Sequence, residues 1–160
     1  MFIVRADDLT GLTHYYAQIG QSNADYSTAE TFLDRVTAHA QSLPAEWHAE
    51  WLFHRGLVYQ NTDRIDMARD CYQQCYDAAK SSGMTELQSF AIRHLGFIQQ
   101  HADKDLKAAR TSFKKSLQLR QAINMQVYLP FSYQTLGAVC MALEDNDAAR
   151  DHFQQARASA

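Results

Sequence analysis

The residues best equipped for chemistry in this chain are its seven histidines and three cysteines. His54 and His94 take the same place in two successive stretches of similar sequence, and His14 sits near the matching place in an earlier one. If those stretches stack as packed helices, successive copies lie about 10 Å apart. One metal ion, with ligand bonds of about 2 Å, cannot bridge that gap, so no metal site is expected. Imidazoles titrating near pH 6.5 would make a surface pH-sensitive; the plainer reading is histidines that are hydrogen-bonded or solvated. Cys71 and Cys75 stand four residues apart, on one face of a helix. Their plain use is as small apolar core groups, and a redox pair is the other. No glycine-rich phosphate loop and no G-x-S-x-G nucleophile turn is present. Histidine, aspartate and serine are scattered, so the expectation is a protein with no catalytic residues and no cofactor.

The chain has 160 residues, enough for one domain with a core of its own. Hydrophobic residues make up 46% and charged residues 21%, the balance of a soluble globular protein. A net charge of −3 argues against general nucleic-acid binding, which needs a basic surplus. Apolar runs are short, which predicts no membrane span. The opening MFIVRADD lacks the pattern of a secretion signal. Three cysteines do not make a disulfide framework. A cytoplasmic location is therefore expected.

The elements that position these residues are helices. Two prolines and six glycines leave little room for β-turns, and apolar residues recur at helical spacing. Ala68, Ala109 and Ala149 lie 41 and then 40 residues apart, each followed four residues later by Tyr72, Phe113 or Phe153. Upstream, Gly56, Gly96 and Gly137 lie 40 and then 41 residues apart. A glycine inside a helix costs about 1 kcal/mol against alanine, so it needs a reason. The spacing predicts helical hairpins in which the glycine admits the second helix closely. The alanine is its small counterpart, and the aromatic fills the space one turn beyond. The polar joints QNTDRI, HADKDL and EDNDAA supply residues that cap helix starts.

With Leu95-Gly96, Leu136-Gly137, Gly56 with Tyr59, and the three Ala-x3-aromatic marks, the sequence resembles the tetratricopeptide repeat family. Arg55 stands where a leucine is usual, Gln99 and Cys140 where an aromatic is, and the proline that closes each repeat is missing. The step near 40, against the usual 34, points to the long-helix variety. The resemblance implies an all-α fold, an α-solenoid of about four antiparallel helix pairs in a right-handed superhelix. The whole chain, 1–160, would form one domain, with pairs near 8–41, 45–82, 84–123 and 126–158. Ala29 and Leu33 mark a degenerate first unit, with Ala17 at the glycine position. Met1–Val4 is placed over that first pair. Pro130 requires a helix to begin near Leu129 or to kink there.

In the family the first helices of successive units line a concave groove. Helical geometry, with the glycines facing their partner helices, then selects one face. It carries His14 and Tyr15 in the first unit and Phe53, His54 and Leu57 in the second. The third supplies Phe90, Arg93, His94, Phe97 and His101, and the fourth Phe131, Gln134 and Met141. A solvent face should be rich in lysine and glutamate; this one is aromatic. Two readings follow. Either the face is an exposed interaction patch, or neighbouring helices and the N-terminal segment cover it. The first makes the chain an interaction scaffold that holds a peptide or helical segment with apolar anchors, with Arg93 as the one strong cation. A different function is self-assembly, as a dimer or by end-to-end stacking, without a peptide ligand.

Overall fold

A computed structural model of the protein describes residues 26–37 and 40–160. His14, Tyr15, Ala17 and the Met1–Val4 segment lie outside the described residues. Among the described residues there is no strand. The helices are α1 (Tyr26–Thr37), α2 (Ala45–Asn61), α3 (Ile65–Ser81), α4 (Thr85–His101), α5 (Leu106–Ala122), α6 (Leu129–Ala142) and α7 (Asn146–Ala158). Helices α2 to α5 are each 17 residues long. Short 3₁₀ turns at Ala40–Ser42 and Gln126–Tyr128 precede α2 and α6. The second of these lets α6 start at Leu129 with Pro130 in its first turn, where a missing N–H costs nothing.

The helices pack in consecutive pairs, α2 on α3, α4 on α5 and α6 on α7. Successive pairs meet through α3 on α4 and α5 on α6, and α1 lies on α2. This is an α-solenoid, whose core is a continuous seam between neighbours. Ala29, Leu33, Val36, Trp51, Leu52, Val58, Cys75 and Ala91 fill its first part. Tyr59, Ala68, Tyr72, Leu95 and Ile98 fill the middle, and Ala109, Phe113, Leu117, Leu136 and Val139 the last.

The glycines differ from expectation in one respect. The nearest atoms to a Cβ built at Gly56, Gly96 or Gly137 belong to the ring of Tyr72, Phe113 or Phe153, at 2.7 Å in each case. The aromatic, rather than the alanine, is the glycine's counterpart. The Cδ1, Cε1 and Cζ atoms of its ring occupy the space a glycine side chain would need, and that contact recurs once per unit.

The joints also repeat. Asp63, Lys104 and Glu144 all take a left-handed backbone, with φ of 61°, 59° and 60°. Asp105 and Asp145 cap the helices that follow, accepting from Ala108 N at 2.9 Å and Ala148 N at 3.3 Å. The first joint departs from the expected cap. Arg64 stands at that position without a side-chain cap, and the Thr62 hydroxyl turns back to Val58 O at 2.8 Å.

Cys71, Cys75 and Cys140 are all buried and unbridged. Burial pushes the Cys71 thiol up to about 11 and the Cys75 thiol up to about 12, so neither is a thiolate near neutrality. A thiol-specific aromatic disulfide reagent is expected to leave all three unmodified in native buffer and to label all three after unfolding. Rapid native labelling of Cys71 and Cys75 would reinstate a redox role.

Candidate functional site: an aromatic and histidine face on the first helices

The face selected from the sequence lies on α2, α4 and α6, and ring contacts join its α2 and α4 members, Phe53, His54, Phe90, His94, Phe97 and His101, into one row. Phe53 is the hub. Its ring lies 5.8 Å from His54, 6.2 Å from Phe90 and 5.5 Å from His94, centroid to centroid. His94 stacks on Tyr72 of α3 at 4.9 Å and meets Phe97 at 6.3 Å. Phe97 continues to His101 at 6.2 Å and, inward, to Phe113 at 5.1 Å. Phe90 reaches Tyr128, ahead of α6, at 5.3 Å. Offset and edge-on contacts of this kind stabilise beyond their area.

The face is covered in part and exposed in part. Phe53, His54, Leu57, Phe90, Arg93, His94 and Phe97 are half-buried, packed against one another and against α3 and α5. His101, Phe131 and Gln134 are exposed, Phe131 at 57% and the neighbouring Met141 at 56%. The row therefore has a packed floor and an open edge. Rings that pack across successive helices cannot all stand free, because helices of neighbouring units approach to about 10 Å.

The histidines belong to the floor. His94 Nδ1 lies 3.0 Å from Gln60 Oε1, which also accepts from the Tyr72 hydroxyl at 2.7 Å. One amide oxygen thus ties α2, α3 and α4 together. Burial pulls the pKa of both His54 and His94 down to about 4, aided at His94 by the charges of Arg93 and Arg120. Near neutral pH they are uncharged rings in an aromatic array. Among the described residues no three His, Cys, Asp or Glu side chains are placed to hold a metal ion.

Two arginines flank the row. The Arg93 guanidinium lies 4.4 Å over the Phe97 ring, and its buried Nε has no hydrogen-bond partner among the described residues. Arg120 was not legible as part of the face. It is 1% exposed, with its guanidinium 5.1 Å from both the Phe90 and Tyr128 rings. Its Nη1 donates to Ser132 Oγ at 2.8 Å. Burial, and then the charge of Arg93, lowers its pKa to about 10. Neither arginine has a carboxylate within ion-pair distance among the described residues. The only signal for Arg120 in the sequence is its place eleven residues after Ala109, where the preceding unit has Ala79.

A cleft of about 610 Å³ opens beside the row, between the middle of α2 and the start of α4. Glu50, Phe53 and His54 form one wall, Met84, Leu87 and Phe90 another, and Ile123 an edge. Burial raises the Glu50 carboxyl above its ordinary range. The lining is mostly apolar with a few polar groups, the character of a recognition cleft.

Comparison with known proteins bears on the fold and on one repeat. Residues 49–82 match the family model described as "Tetratricopeptide repeat". No curated protein sequence matches the chain. A solved structure titled "Crystal structure of BtubC (BKLC) from P. vanneervenii" superposes with a TM-score of 0.75 over 85% of this chain at 18% identity. The chain spans 56% of that structure's length, and at this identity the likeness is one of fold. Among the described residues no helix is long and apolar enough to cross a membrane. Residues 49–82 are thus similar to a tetratricopeptide repeat, and the described residues as a whole form a helical-repeat fold of stacked pairs.

Proposed function

We propose that the chain is a protein-interaction scaffold whose concave face, along α2, α4 and α6, binds a peptide or helical segment of a partner. The observation that carries this is the packed array of Phe53, Phe90 and Phe97 about His94, with Phe53 and Phe90 lining the 610 Å³ cleft, together with Phe131 of α6, which is exposed at 57%. Aromatic residues and arginine are the types that dominate binding energy once desolvated at an interface. The packed floor holds them in place, so little ordering cost falls on the receptor. Apolar anchors on the partner would enter the cleft and lie against Phe131. A carboxylate near them would meet Arg93, which has no counter-ion among the described residues. No catalytic step is assigned to this face.

Peptides selected by display against the immobilised chain provide the test. The variant Phe131→Ala with Ile123→Ser changes two exposed side chains, one at the cleft and one on α6, so its melting curve should stay close to wild type. Its affinity for the selected peptides is expected to fall tenfold or more, about 1.4 kcal/mol. A folded variant that binds them as tightly as wild type would move the binding site off this face.

A further inference from the structure

The cleft between α2 and α4 carries charge as well as apolar walls. Glu50 lines it beside Phe53 and Phe90, whose ring centroids stand 6.2 Å apart. Met84, Leu87 and Ile123 extend the apolar lining, and Glu86 adds a second carboxylate. No lysine or arginine lines the cleft. His54 does, but burial holds its pKa at about 4, so near neutrality it brings no charge. Exposed Glu86 acts on the charge of Arg120, which lies over the Phe90 ring and does not line the cleft. Glu50 has no cation of that kind.

The Glu50 side chain is half-buried. Among the described residues its carboxylate has no hydrogen-bond donor and no cation within ion-pair distance. Burial alone raises its pKa. A carboxylate taken out of water without a donor costs stability. The groups that best remove this cost are N–H donors that also carry positive charge. The two phenyl rings favour the same occupant, since a cation near an aromatic face is attracted by the ring's quadrupole. The apolar walls ask for methylenes. A lysine or arginine side chain meets both demands, with its stem on apolar surface and its charged head beyond. A purely apolar anchor would bury Glu50 further with nothing to pair it, and an acidic one would add repulsion.

We propose that the cleft holds a basic side chain, lysine or arginine, of the partner segment, with its head on Glu50 and its stem against the Phe53 and Phe90 rings. The inference rests on the reading of the concave face as a partner-binding surface and names the anchor that enters it. The volume of about 610 Å³ lies within the range of ligand pockets, so part of a neighbouring residue enters as well. That neighbour is apolar, because Met84, Leu87 and Ile123 are what it meets. The partner class is therefore a segment in which a basic residue stands beside apolar ones.

Acetylated and amidated tripeptides decide it. The probes are leucine-lysine-leucine and the same peptide with norleucine or glutamate at its centre, each titrated into the whole chain and followed by backbone amide NMR shifts. Norleucine keeps most of the lysine stem and removes the charge. The lysine probe is expected to shift the amides of Glu50, Phe53 and Phe90 and to bind tenfold or more tightly than the norleucine probe, about 1.4 kcal/mol. Glu50→Gln, of nearly the same size, should stay folded and abolish that preference, and Glu50→Lys should transfer it to the glutamate probe. A norleucine probe that binds as well as lysine, a preference that survives Glu50→Gln, or no shift at these amides would each overturn the inference. The display-selected peptides keep the two readings apart. Selected peptides that need Phe131 and Ile123 but carry no basic residue would sink this inference and leave the concave face standing. A lysine preference that depends on Glu50, with selected peptides indifferent to Phe131→Ala and Ile123→Ser, would sink the concave face and leave the cleft its cation.

Discussion

Gly96→Leu is expected to destabilise the protein by about 3 kcal/mol or more, at the upper end of overpacking costs. A bare Cβ at Gly96 already comes within 2.7 Å of Phe113 Cε1 and 2.9 Å of its Cδ1. Phe113 is 2% exposed, and its ring is held by Phe97 at 5.1 Å, so it has nowhere to swing. Removing a helical glycine returns about 1 kcal/mol of propensity, which the clash outweighs. Urea denaturation and thermal melting measure the loss. Gly96→Ala isolates the contact, because alanine has the best propensity yet should still lose stability here. Pairing Gly96→Ala with Phe113→Leu should recover part of that loss, since the ring that meets the new methyl is gone. Gly96→Leu melting at the wild-type temperature would show that the two helices do not approach at this point.

Acidification from pH 7.5 to pH 4.5 is expected to remove about 3–5 kcal/mol of stability through His54 and His94. Both have folded pKa values lowered to about 4 from an ordinary 6.5. The unfolded chain therefore binds protons first as pH falls. The stabilisation is complete above pH 6.5, declines below it, and is lost as pH passes through about 4. Around His94 lie the rings of Phe53, Tyr72 and Phe97, Gln60, and the cations Arg93 and Arg120, none of which welcomes an imidazolium. Half-buried His152, its pKa lowered by burial and then by Lys114, adds in the same direction. Glu50, its pKa raised by burial, works the other way. Carboxylates with lowered pKa, such as Glu30 in its pair with Arg64, lose their contribution only below the ordinary carboxylate range. Denaturation midpoints of wild type and of His54→Gln with His94→Gln, taken across this range, separate the contributions. A wild-type stability flat between pH 7 and pH 5 would mean that the two rings are hydrated.

The sequence by itself determined the helices and their stacking. Gly56, Gly96 and Gly137, with Tyr72, Phe113 and Phe153, are local marks of helix contact that survive projection onto one dimension, because a glycine costs a helix stability wherever it sits. The face of the first helices was legible for the same reason, since 3.6-residue periodicity is a property of the helix alone. Only the tertiary structure decided how deep that face lies. Whether Phe53 is floor or open edge depends on Phe90 and Tyr72, which are brought to it by other helices. It also decided that a ring, not an alanine, covers each glycine. Arg120 joined the face only once α5 had packed between Phe90 and Tyr128, which gave a buried cation two aromatic faces. The ion pairs of Arg69 with Asp103 and of Arg110 with Asp145 lie in the same class. Their members are dozens of residues apart, and Coulomb attraction between them exists only where unit-to-unit packing closes the distance.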